Sequence, residues 1–68
     1  MEKETEKILE KVRQKRTEKN ISLLNLATKM GISHSHLYYI ESKRVVPSID
    51  VLVKIAKALG INIKELIN

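Results

Sequence analysis

Three short segments of the chain share one pattern of apolar and polar positions: ISLLNL at 21–26, ISHSHL at 32–37 and INIKEL at 61–66. Each opens on Ile, continues with Ser or Asn, and reaches Leu after three variable positions. This is the pattern of a helix start. Ser22, Ser33 and Asn62 stand where a side-chain oxygen accepts hydrogen bonds from first-turn amides that have no partner inside the helix. The Ile before each cap and the Leu five residues later are the two halves of a hydrophobic staple, and Glu65 adds a capping-box partner for Asn62. PSID at 47–50 supplies a fourth start, with Ser48 as cap and Asp50 near the positive helix end. The repetition reads as reuse of one capping solution rather than as a duplicated unit.

The stops are equally legible. Gly31 follows LATKM and Gly60 follows IAKAL, each where a left-handed residue ends a helix, and Asn20 holds the same place after the first helix. Together the signals predict five helices, at about 4–19, 22–30, 33–42, 48–59 and 62–67. On the first, Ile8 and Val12 are the expected core contacts, and Arg16 continues their row at i+4. Composition agrees with an all-α domain. Glycine occurs only twice and proline once, and Lys, Ile, Leu and Glu dominate. The 68 residues make one domain, 1–68, with room for one core and little for an enclosed catalytic cavity. With no Cys and no long apolar run, disulfides, Cys-ligated zinc and a membrane segment are excluded, and a cytoplasmic protein is expected. The chain stops directly after the fifth expected helix, which fits a complete protein and an excised domain equally.

The second and third helices are joined only by Gly31, Ile32 and Ser33, a connection short enough to force a sharp crossing and a helix-turn-helix over 22–42. Leu26, Met30, Ile32, Leu37 and Ile40 are the expected core beneath the turn, and Ala27 lets the two helices approach. Because Leu37 and Ile40 point inward, His34, Ser35, Tyr38 and Tyr39 face outward, with His36 nearer the edge. Both histidines and both tyrosines of the chain thus lie between His34 and Tyr39, and there is no Phe or Trp elsewhere. A core would spread such rings out.

From about Ile8 to Leu66 the chain resembles the lambda-repressor/Cro-like (Xre-type) helix-turn-helix proteins. The residues that carry the resemblance are VRQKR, ISLLNLATKMGISHSHLYYIE, the Pro47–Ser48 pair and LVKIAKALGINIKEL, in that order and spacing. The resemblance implies a compact five-helix DNA-binding domain, usually a homodimer, that acts as a transcriptional repressor or, sometimes, an activator. It makes 33–42 the recognition helix, its first turn in the major groove. His34, Ser35 and Tyr39 then take base-contacting positions. Ser33, His36, Tyr38, Lys43 and Arg44 take positions near the backbone phosphates, and the first-turn amides of the second and fourth helices are further phosphate donors. The resemblance also implies a buried ion pair between Arg16 and Glu41. The chain departs from the family pattern at Leu23, where Gln often clamps a phosphate, at Leu24, where a polar residue is usual, and at Lys43, where Gly is preferred.

Net charge is +5, but its placement changes the picture little. Lys3, Lys7, Lys11, Lys15 and Lys19 recur every four residues, yet Glu6, Glu10 and Glu18 stand three residues beyond Lys3, Lys7 and Lys15. A solvated face laced with opposite charges is expected there, not a phosphate-binding stripe. Leu59, Ile61, Ile63 and Ile67 are the candidate dimer contacts. A second class of function, a protein-interaction module of antitoxin or co-regulator type, would use Leu23, Leu24, Val45 and Val46. An enzyme is not expected, because no nucleophile–base or paired-carboxylate set converges on one helix face. Neither metal nor cofactor is expected: His34 and His36 are two residues apart and point to different sides.

Overall fold

The hydroxyl groups of the serine caps set where the helices begin. In the computed structural model, which describes residues 1–67, Ser22 Oγ accepts from the Asn25 amide, Ser33 Oγ from His36 and Ser48 Oγ from Val51, at 3.0, 3.1 and 3.2 Å. The helices that follow are α2 (Leu23–Met30), α3 (His34–Glu41) and α4 (Ile49–Leu59), preceded by α1 (Lys3–Glu18). The fifth, α5 (Lys64–Ile67), is capped as its sequence signal implies: Asn62 Oδ1 accepts from the Lys64 amide at 2.9 Å. Glu65 Oε2 accepts from the Asn62 amide at 3.1 Å, completing the capping box. Among the described residues the fold is all-α with five helices, as the capping pattern implies. Asn68, the last residue of the expected domain, lies outside the described residues.

The helix ends repeat one solution four times. Asn20, Gly31, Lys43 and Gly60 all have positive φ, between 57° and 74°. In each case the next amide reaches back five residues to a carbonyl: Ile21 to Arg16, Ile32 to Ala27, Arg44 to Tyr39 and Ile61 to Ala56, at 3.0–3.1 Å. In three of the four junctions the left-handed residue is followed by Ile and then by the next cap, so each isoleucine closes one helix and staples the next. No atom would crowd a Cβ at Gly31 or Gly60, so backbone conformation, not space, is what favours glycine there.

These junctions turn the inner faces toward one another. α1 packs on α3, α4 and α5, while α2 packs on α3 and α4. The main core consists of Val12, Leu26, Ala27, Leu37, Leu52, Ile55, Ala56, Leu59 and Leu66, with Leu9 and Ile40 also fully buried. On α1 Val12 is fully buried and Ile8 packs half-buried against the same core, as expected, and Leu9 is buried as well. One expectation needs correction. Leu59 is not a surface residue: it is 3% exposed on the inner face of α4, one turn beyond Ile55, and is committed to the core. Ile61 and Ile63 are half-buried against the same core, and only Ile67 of the four, at 53%, is exposed.

Lys43 occupies its left-handed position without the freedom of glycine. Comparing Lys43→Gly with Lys43→Ala removes the amine in both and leaves only the Cβ. The glycine variant is expected to be the more stable by about 1–2 kcal/mol in urea denaturation. Equal stability would mean that the loop relaxes around a side chain at no cost.

Candidate nucleic-acid interface

α3 divides its residues sharply. Leu37 and Ile40 are completely buried, which turns His34, Ser35, Tyr38 and Tyr39 to the opposite side, where all four are exposed and line one shallow depression of about 280 Å³. The two tyrosine rings meet edge to face, with centroids 5.8 Å apart, an arrangement that limits the freedom of both. Arg44 lies over the Tyr39 ring, its guanidinium carbon 5.7 Å from the centroid. This places a permanent cation at the C-terminal border of the depression. The surface therefore offers imidazole, hydroxyl and phenol groups at its centre and a guanidinium at its edge.

Ser33 uses its oxygen lone pair to cap α3, which leaves its hydroxyl proton available to an acceptor outside the protein. His36 is exposed, and its amide is the donor in that cap. Lys43 is engaged: its ammonium donates to Glu10 Oε2 at 2.7 Å, tying the end of α3 to the middle of α1. The hydrogen bond from Lys43, reinforced by its charge, lowers the Glu10 carboxyl below its ordinary 4.5, and the bond to Glu10 raises Lys43 above 10.5. Spacing along the sequence carries no sign of this contact, which joins residues 33 positions apart. Leu23 is half-buried and packs against the core, so only Leu24, at 58%, is a fully exposed leucine at the start of α2.

The orientation of α3 is held from α1. Arg16 Nε and Nη2 donate to the two oxygens of Glu41 at 2.9 and 3.0 Å, and Nη1 donates to the Ile21 carbonyl at 3.0 Å. Both side chains are largely withdrawn from solvent, at 13% and 8% exposure. Among the described residues no group of His, Asp or Glu is arranged to hold a metal ion, and no helix is long and apolar enough to cross a membrane.

Two short helices packed on each other, joined through a left-handed glycine and backed among the described residues by three further helices, define a helix-turn-helix domain. The sequence comparison gives the family: residues 12–66 match the Helix-turn-helix family model of the Xre/lambda repressor-like type, and the chain belongs to that family. It is a family of DNA-binding transcription regulators rather than of catalysts. No significant match emerges among curated proteins or among solved structures.

Two predictions separate the ion pairs. Glu41→Ala should destabilise the domain by about 3–5 kcal/mol in urea denaturation, because it strands a desolvated guanidinium. The double substitution Arg16→Met with Glu41→Leu should cost less than either single loss. The exposed Glu10–Lys43 pair behaves differently. A carboxyl lowered in the folded state contributes stability that is present above 4.5 and lost as pH falls through the lowered value. The small advantage of the wild type over Glu10→Gln should therefore hold at neutral pH, fade below pH 4.5 and shrink in added salt. An advantage unchanged at pH 2 would show that the charge is irrelevant.

Proposed function

We propose that this domain is a sequence-specific reader of double-stranded DNA, most plainly a repressor that binds a two-fold operator as a homodimer. One observation carries the reading: the face of α3 opposite Leu37 and Ile40 spends every ring of the chain but that of His36 on one exposed surface. On this reading His34, Ser35 and Tyr39 meet base edges. Imidazole donates to guanine O6 or N7, the serine hydroxyl bonds either donor or acceptor edges, and the phenol ring lies on thymine methyls. Ser33, His36, Tyr38 and Arg44 meet the flanking phosphates, and Lys43 joins them by exchanging Glu10 for a phosphate oxygen.

One module of this size covers only about 600–1,000 Å² of DNA surface, so two copies are needed for useful specificity. Ile67, with the half-exposed edges of Ile61 and Ile63, forms the proposed contact between copies, which sets half-sites about 34 Å apart. A protein-interaction role is the second reading. The observation that favours it is the exposure of Leu24, Val45 and Val46, the last at 66%, while Leu23 contributes only its outer edge.

Selection from random duplexes by the purified protein at near-physiological salt tests the first reading. A two-fold motif with half-sites about ten base pairs apart is expected. His34→Ala, Ser35→Ala and Tyr39→Ala should each cost about 1–3 kcal/mol on that motif and relax the preference at one base position. Binding that enriches no motif would move the weight to the protein partner and to Leu24, Val45 and Val46.

A further inference from the structure

Arg13 stands one turn ahead of Arg16 on α1, and its situation differs from that of Lys15, Arg16 and Lys43. Lys15 reaches Glu65 at 3.4 Å, Arg16 is bonded to Glu41, and Lys43 has engaged Glu10. Arg13 is exposed, and its guanidinium has no acidic partner among the described residues. It lines a cleft of about 300 Å³ with Leu23, Tyr38, Ser42 and the Arg16–Glu41 pair. Tyr38 also lines the depression of His34, Ser35 and Tyr39, so the two concavities share a wall.

The electrostatics of this cleft are decided by Arg13. The Glu41 carboxylate is on its lining, but both oxygens are occupied by Arg16 and the side chain is only 8% exposed. That pair is close to neutral, and Ser42 spends its hydroxyl proton on the Tyr39 carbonyl at 3.2 Å. What remains on the lining is one unpaired guanidinium, the Tyr38 side chain and the half-buried Leu23. A guanidinium fork fits the paired oxygens of a phosphodiester.

We infer that Arg13 binds a backbone phosphate of the duplex, on the strand that borders the groove entered by α3. The inference rests on the DNA-reading role proposed for α3 and extends the contact surface to α1. Arg13 contributes affinity without base preference, because a phosphate is the same at every step. Seating the phosphate against Tyr38 fixes how deeply the base-reading side chains enter.

The test is a fluorescence anisotropy titration over a series of salt concentrations. It uses the selected duplex and an unrelated duplex of equal length, with the wild type, Arg13→Gln and Arg13→Lys. Arg13→Gln should weaken binding to both duplexes by a similar factor, roughly three- to tenfold, and flatten the slope of log K against log salt by about 0.9 per subunit. Arg13→Lys should keep the slope, and the selected motif should not change. Circular dichroism melting checks that Arg13→Gln folds like the wild type, as expected for an exposed side chain without an ion-pair partner. A wild-type slope and affinity in Arg13→Gln would overturn the assignment, as would a changed motif, which would mean base reading. A wild type that binds neither duplex would remove the DNA-reading role and this contact with it, an outcome read without any Arg13 variant.

Discussion

Arg16 spends three of its N–H groups on two segments that lie far apart in the chain: the Glu41 carboxylate at the end of α3 and the Ile21 carbonyl between α1 and α2. Ile21 is also the residue that closes α1 and staples α2, so one guanidinium sets the exit of the first helix, the entry of the second and the end of the third. The two helices whose crossing presents the exposed rings are thereby referred to a common point. Desolvating both charges consumes much of what their attraction returns, so the pair adds little net stability while fixing geometry. A carboxylate accepts two parallel bonds from a guanidinium in only one plane. Lysine in place of Arg16 would keep the charge and lose that constraint.

Much of this architecture was legible because it is local. A cap, a left-handed stop and a staple involve residues within six positions of one another, so NIS, GIS and GIN each declare a junction directly in the sequence. The inward direction of Leu37 and Ile40 follows from their spacing, and the outward direction of His34, Ser35, Tyr38 and Tyr39 follows from theirs. The surface offered by α3 was therefore readable before its surroundings were.

What was not legible depends on contacts between distant segments. An apolar residue at the end of α4 reads equally as core or as interface, and only the assembled core, which it shares with residues of α1, α2, α3 and α5, decides that Leu59 is inside. The burial of Leu9 on α1, beside the expected Ile8 and Val12, likewise depends on which helices surround α1 and not on its own row. Lys43 is the sharpest case. Its place beside Arg44 suggested phosphate, and its left-handed backbone was foreseeable, but the approach of Glu10 across 33 residues has no local signature.

The formal charge of +5 says less about affinity than the distribution of its members. The exposed face of α3 bears no lysine or arginine; its depression is lined by His34, Ser35, Tyr38 and Tyr39 alone. Permanent charge stands at its rim, with Arg44 over the Tyr39 ring and Arg13 behind Tyr38, while Lys15, Arg16 and Lys43 are held by carboxylates. On the proposed reading this separation has a physical consequence. Attraction to any duplex scales with the phosphates neutralised and falls with salt, whereas discrimination between duplexes comes from groups that carry no fixed charge. A domain whose reading face carries no fixed charge keeps the second term independent of the first. Its preference for one site over random DNA then rests on shape and hydrogen bonding at α3, which is the quantity that the Arg16–Glu41 frame is built to hold constant.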